Sequence, residues 1–310
     1  MFSLIIKTLF VLTSLPVLSS VASLDQFFST ADYSQIDFPY SLGPKITAES
    51  ALVVNLDEGQ VCFSKNKDKV LPIASITKLM TALVFLEHNK MDWEEEIIIQ
   101  KQDLVINSVN DSELKPVVLG FQSGQKMKLK DIFSASLIRS ANDAVKVLTR
   151  LIDLPAGKTF VDLMNEKAEE LGMKNTNFED PTGLNIKNQS TSEDLVKLIC
   201  AALKKDKISQ ALSKKVYDFP IIDKQGVKQY IRVWNTDELL GTFTKIKGAK
   251  TGYLDESGYC FLGLSNYQDN QLVIALLKSA TSQDRFQEVK SLIYWSEENC
   301  QRQLERINLK

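Results

Sequence analysis

Histidine is nearly absent: His88 stands alone among 310 residues. It falls on the helix expected to begin at Ser75, three turns or more from that serine, so a Ser-His-Asp triad built around Ser75 is excluded on reach alone. Cysteine is sparse as well. Cys62, Cys200, Cys260 and Cys300 are far apart, with no Cys-x-x-Cys pair, which argues against a metal site. Their even number leaves three disulfide pairings open, although a chain this long can bury a core without them. Neither sign of charge dominates. A formal net charge of −2 gives no electrostatic case for nucleic acid. The densest basic run, Lys204, Lys205, Lys207, Lys214 and Lys215, reads as a solvated helical face. Beyond the N-terminus no apolar run approaches the roughly 20 residues that a membrane-spanning helix needs.

What is present is ordinary for a folded protein, 44% hydrophobic and 25% charged. Residues 1–23 differ. Lys7 gives a short basic start, and Leu9, Phe10, Val11, Leu12, Leu15 and Leu18 form an apolar stretch ahead of the small residues Ser19, Ser20, Ala22 and Ser23. Pro16 and the interspersed serines and threonines make the stretch short for an anchor. It reads as a signal peptide cleaved near Ala22 or Ser23. The expected product is exported to the periplasm or cell envelope and soluble. Residues 24–45, with Pro39 and Pro44, read as an irregular leader, and residues 46–310 as one folded module.

Ala51–Leu56 and Gln60–Ser64 flank Asp57-Glu58-Gly59 as a β-hairpin. Helices are expected from about Ser75 to His88, over Leu129–Ile152, Phe160–Gly172 and Ser192–Lys205, and from Ser282 to about Arg306. Ile97–Ile99 and Val117–Leu119 read as short strands. Strands return at Val227–Trp234, Ile246–Thr251, Gly258–Ser265 and Gln271–Lys278, the last two pairing across Tyr267–Asn270. Strands at both ends with helices between imply one sheet assembled from both chain ends, an α/β (α+β) fold with the helical middle beside it.

The chemistry starts at Ser75-Ile76-Thr77-Lys78. A hydroxyl and an amine three residues apart share one helical face. Ile76, Leu79, Met80 and Leu83, with Ala82, Phe85 and Leu86, bury that helix nearly all round. A lysine at the start of a helix also opposes the macrodipole, which favours anions there. The spacing by itself is common, recurring at Ser64–Lys67, Ser112–Lys115 and Ser123–Lys126, and a serine at a helix start is an ordinary cap. Two companions change its weight: Ser140-Ala141-Asn142 in the helical middle, and Lys250-Thr251-Gly252, which occurs once, on a late strand.

Together these patterns resemble the motif set of the low-molecular-mass penicillin-binding proteins, the serine D-alanyl-D-alanine carboxypeptidases and endopeptidases. The segments Ala74–Leu83, Ser140–Ala144, Pro181–Asn185 and Gly248–Tyr253 each resemble family segments, in the same order. The resemblance implies a β-lactamase/transpeptidase-like fold, with an antiparallel sheet flanked by helices and an inserted helical subdomain. It implies a Ser75 acyl-enzyme with Lys78 as base, Ser140 as proton relay and Asn142 holding the substrate backbone and orienting Lys78. Lys250 and Thr251 would bind the substrate's terminal carboxylate, and Gly252 would let the substrate lie against the strand. The N–H groups of Ser75 and Tyr253 would form the oxyanion hole. A lysine works as a base only when neutral, and lowering its pKa from about 10.4 to about 7 costs roughly 4.6 kcal/mol. Burial and the second cation, Lys250, both push that way. Peptidoglycan stem peptides are the implied substrates and β-lactams the covalent inhibitors. No cofactor, metal or nucleic acid is implied, and peripheral association with the cell envelope stays open.

Leu254 stands where many relatives carry threonine, and Ser257 where alanine is common, so substrate preference is less defined than the reaction. The chain ends after its closing helix, without the further β-rich domain and anchor of many carboxypeptidases, an ending that resembles the endopeptidase branch. Two rivals remain: a class A-like β-lactamase, for which Glu179 would activate the deacylating water, and a catalytically inactive wall-binding homologue.

Overall fold

The computed structural model describes residues 43–105, 116–267 and 270–307. The proposed signal (1–23), most of the leader, the Ser112–Lys115 repeat and the tip of the last hairpin lie outside them. The first hairpin pairs β1 (Ser50–Asn55) with β2 (Gln60–Lys65), and the Asn55 side chain accepts the backbone N–H groups of Asp57 and Glu58 to close its turn. β1 also pairs with the penultimate element of the chain. With β9 (Ile246–Leu254), β10 (Gly258–Tyr267) and β11 (Asn270–Ser279) it forms an antiparallel five-stranded sheet in the order β2-β1-β11-β10-β9. Both chain ends thus meet inside one sheet, as expected.

That sheet is covered on both faces, which explains its near-continuous apolar strands. Leu52 and Val54 of β1, with Val273, Ala275 and Leu277 of β11, face the helical body. Ala51 and Val53, with Leu272, Ile274 and Leu276, face the long closing helix Ser282–Ile307 through Phe286, Val289, Leu292 and Ile293. A disulfide joins Cys62 of β2 to Cys300 of that helix, while Cys200 and Cys260 are free and buried.

The helical body surrounds α1 (Lys78–His88), whose residues from Lys78 to Phe85 are all buried. Leu129–Ile152 forms two helices instead of one: α2 (Leu129–Ile138) and α3 (Asn142–Arg150). The break is at Ser140, which has φ +64°. Tertiary bonds hold it open. Asn142 N–H donates to the Val117 carbonyl, and the buried Asp143 carboxylate accepts the N–H groups of Leu119 and Gly120. The expected strand at Val117–Leu119 is this loop. α4 (Phe160–Glu170) and α5 (Ser192–Leu203) follow the expected pattern, the second capped by Thr191, whose hydroxyl accepts Asp194 N–H.

Five elements come from outside the sequence expectation, four strands and one helix. A two-stranded ribbon pairs β3 (Leu71–Pro72) with β6 (Gln189–Ser190). α6 (Asp206–Leu212) carries part of the lysine run. β5 (Lys126–Lys128) and β7 (Val216–Ile222) join two expected strands, β4 (Glu96–Ile98) and β8 (Lys228–Trp234), in a second antiparallel sheet of order β4-β5-β7-β8. The closing helix, α7, expected from Ser282 to about Arg306, runs Ser282–Ile307.

Candidate active site

Ser75 lies in a 3₁₀ turn, Ala74–Thr77, that runs into α1. Side chains at i and i+3 eclipse in such a turn, and Lys78 Nζ donates to Ser75 Oγ at 2.8 Å. Ala74, Ile76 and Thr77 are buried, while Ser75 is half-exposed. Two neighbouring segments press on this turn at glycines. A Cβ on Gly183, which has φ +84°, would sit 2.2 Å from the Ala74 carbonyl oxygen. One on Gly252 would sit 2.8 Å from the Ile73 oxygen and 3.1 Å from the Ser75 nitrogen. Gly252 is therefore required by β9 packing against the serine turn, before any substrate is considered.

The Gly183 segment is a loop shaped by Asp180, whose carboxylate accepts the N–H groups of Gly183 (2.8 Å) and Asn185 (2.6 Å) and the Asn188 amide (2.9 Å). It presents the Thr182 carbonyl to Lys78 Nζ. Thr81 of α1 donates to the Pro181 carbonyl at 2.7 Å and locks loop to helix.

Opposite Ser75 lie Ser140 and Asn142. Both are buried, and Ser140 Oγ and Asn142 Oδ1 have no hydrogen-bond partner among the described residues. They share with Ser75, Thr251, Gly252 and Tyr253 a cavity of about 470 Å³, walled also by Pro116, Val117, Leu184, Thr236 and Arg285. Two buried polar atoms without a protein partner at a cavity wall are costly unless a ligand or solvent completes them. The sequence-chosen residues therefore converge. Lys78 and Lys250 lie just behind the surface, almost fully buried. Lys250 Nζ donates to the Thr251 carbonyl at 2.9 Å, and Thr251 Oγ1 donates to Thr236 Oγ1 at 2.7 Å.

Burial dominates the electrostatics. It lowers Lys78 from its ordinary value to about 7, against an opposing pull from Asp180. Lys250 is pushed well below the lysine range, first by burial and then by the neighbouring cations Lys78 and Arg285. The two amines cannot both hold a proton cheaply. Asp237, buried nearby, is raised to about 6, mainly by burial. Arg285 enters the cavity wall from the first turn of α7, hydrogen-bonds Ser282 at 3.0 Å and lies over the Tyr259 ring. That ring stacks on Tyr253 with centroids 4.2 Å apart.

The chain matches the peptidase S11 family, described as D-alanyl-D-alanine carboxypeptidase, over residues 39–281. It belongs to that family. It is similar to the D-alanyl-D-alanine endopeptidase of Pseudomonas aeruginosa, 32% identical over 260 residues covering 83% of this chain and 79% of the relative. The D-alanyl-D-alanine endopeptidase of Escherichia coli is 30% identical over 264 residues, 82% of this chain and 78% of the relative. Among solved structures, penicillin-binding protein D2 of Listeria monocytogenes in its cefotaxime-bound form is 29% identical with a TM-score of 0.67, covering 83% of this chain and 99% of that one. The Streptomyces K15 DD-transpeptidase, at 24% identity, shares the fold with a TM-score of 0.76 over 83% of this chain and 99% of its own.

Within this peptidase family member, several sequence expectations take a different form. Lys78 receives its second contact from the Thr182 carbonyl, not from Asn142. Burial, rather than Lys250, is the leading cause of its lowered pKa. Glu179 is exposed and accepts from Asn177, away from the cavity wall, so it is not placed to activate a water for a β-lactamase. Ser257 hydrogen-bonds the Leu254 backbone and shapes the β9–β10 turn. Of the other three Ser-x-x-Lys matches, the Ser64–Lys67 lysine pairs with Glu193. Sequence reading missed Thr182 as a contact of Lys78, and Thr236, Asp237 and Arg285 altogether. Only Thr182 carried a signal, as part of the Pro181–Asn185 segment.

Proposed function

We propose that the chain is a serine-type D-alanyl-D-alanine peptidase acting on peptidoglycan stem peptides, as carboxypeptidase and, on cross-linked stems, as endopeptidase. Residues 46–310 form its catalytic module, and the N-terminal signal directs it to the periplasm or cell envelope. One observation carries this reading above the rest: a half-exposed serine hydroxyl held at 2.8 Å by an amine that burial brings to about 7. Neutral Lys78 takes the Ser75 proton as Oγ attacks the carbonyl carbon of the scissile D-alanyl bond. The N–H groups of Ser75 and Tyr253 receive the developing oxyanion. The proton passes by way of Ser140 to the leaving nitrogen, and water then hydrolyses the ester. Asn142 holds the peptide backbone. The terminal carboxylate is held by the Thr251 hydroxyl with Arg285 in the wall and Lys250 behind. A bound carboxylate favours the charged form of Lys250, which in turn keeps Lys78 neutral. Penicillin, which imitates the acyl-D-alanyl-D-alanine end, acylates the same serine.

The test is intact-mass analysis after incubation with penicillin. One adduct is expected, lasting minutes or longer and absent from Ser75→Ala. An adduct that survives that change removes the serine assignment, and rapid turnover favours a β-lactamase. Binding without a covalent adduct indicates an inactive homologue.

The carboxylate clamp gives a second expected outcome. A charge-assisted hydrogen bond contributes about 1.5–3 kcal/mol, so amidating the C-terminus of a D-Ala-D-Ala peptide slows cleavage roughly 10- to 100-fold. Lys250→Ala loses most of that discrimination. Equal rates on acid and amide in the wild type refute the clamp, and an untouched cross-linked dimer leaves carboxypeptidase alone.

A further inference from the structure

β8 is the outer strand of the four-stranded sheet, and its period of two places Lys228, Tyr230, Arg232 and Trp234 on one face. The other face is the core side, where Val233 and its neighbours Phe219 and Ile221 of β7 are buried. On the outer face Tyr230 is 71% and Trp234 55% exposed, the two most exposed aromatic side chains among the described residues. Residues two apart on a strand are about 6.7 Å apart, so the rings are spaced roughly 13 Å along it. The polar groups between and beside them are held in position. Arg232 forks onto Asp218 across the strand pair, with both contacts at 2.7 Å, and Lys228 Nζ lies 5.3 Å from the Tyr230 ring centre.

The strip leads into the cleft. Trp234 is followed by Asn235, whose amide donates to the carbonyls of Leu212 and Lys214, and then by Thr236, the cavity-wall residue that accepts from Thr251. We propose that this face of β8 is a carbohydrate-binding strip, which holds the polysaccharide strand bearing the stem peptides while one peptide occupies the cleft. The choice of polymer rests on the peptidase reading above. Sugar rings present flat C–H faces and hydroxyl edges. Tyrosine and tryptophan offer an apolar face with a polar tip, and the interleaved Lys228 and Arg232 can donate to hydroxyls. A protein partner would favour a contiguous apolar patch, which the alternating charges interrupt. The same charges blunt an edge strand against pairing with a second copy.

The experiment uses the full chain and glycan strands stripped enzymatically of their peptides. The double variant Tyr230→Ala/Trp234→Ala should lose about tenfold or more in glycan affinity, and Tyr230→Phe/Trp234→Phe should stay within about threefold of wild type. Cleavage of intact sacculi should fall in parallel, with cleavage of a sugar-free peptide kept within about twofold, which also reports that the double variant is folded. Ser75→Ala should bind stripped glycan as wild type does. The strip is thereby tested even if the peptidase reading fails, since that failure shows only in peptide cleavage. Unchanged glycan affinity in the double alanine variant overturns the proposal. So does a loss confined to vesicles of phosphatidylglycerol and phosphatidylethanolamine, or confined to self-association in sedimentation velocity, because either assigns the strip to another occupant.

Discussion

Lys78→Arg is expected to slow penicillin acylation of Ser75 by about 10²–10⁴-fold, the usual contribution of a positioned general base. The substitution conserves charge and removes the one property the geometry demands. Lys78 is almost fully buried, donates to Ser75 Oγ and to the Thr182 carbonyl, and is brought by burial to about 7. Arginine cannot be deprotonated in a protein. The sign of the pH dependence follows. The active form is neutral Lys78, so wild-type acylation rises as pH climbs through about 7 and falls roughly tenfold per unit below it. Acylation rates by stopped mass spectrometry between pH 5.5 and 8.5 check both statements, and Lys78→Met serves as a folded control without a base. A flat profile, or near wild-type acylation in Lys78→Arg, moves the base elsewhere, with Ser140 the next candidate.

Gly183→Ala is expected to destabilise the protein by about 2–5 kcal/mol, the sum of a left-handed backbone penalty and an overpacking cost. It should also slow acylation by roughly 10²-fold, since displacing a reacting group by an ångström has that effect. The reason is local: its φ is +84°, and a Cβ would sit 2.2 Å from the Ala74 carbonyl oxygen and 3.0 Å from the Ser75 nitrogen. Neither atom is a flexible side-chain end, so the serine turn itself must move. Gly226 supplies the control, with the same φ of +84° and nothing within 4 Å of the added carbon. Gly226→Ala should cost only the backbone part, about 1–2 kcal/mol, with acylation unchanged. Urea denaturation and acylation rates for the two variants separate strain from collision. If Gly183→Ala behaves like Gly226→Ala, the loop does not hold the turn.

Much of the site was legible because its spacing is local. Ser75 and Lys78 are three residues apart, and any helical or 3₁₀ path puts them together. Lys250, Thr251 and Gly252 are consecutive on a strand. The central sheet was legible for a related reason: strands covered on both faces must be apolar almost without interruption, as in Ala51–Val54 and Leu272–Leu277. β7 was not legible, because Pro220 in the middle of the run argues against a strand paired on both sides.

The sequence by itself determined the reactive pair and the three motifs, which depend on neighbours along the chain, and it implied the shared sheet because apolar strands stand at the two ends of a helical middle. Tertiary structure alone decided which cysteines pair, because Cys62 and Cys300 are brought together by α7 packing on the sheet. It decided the helix break at Ser140, where bonds from Val117, Leu119 and Gly120 replace those of a continuous helix. It also placed Thr182 and Arg285 at the site from distant segments. Above all it decided that Lys78 can be neutral, because desolvation depends on everything packed around the amine and on nothing within its own motif.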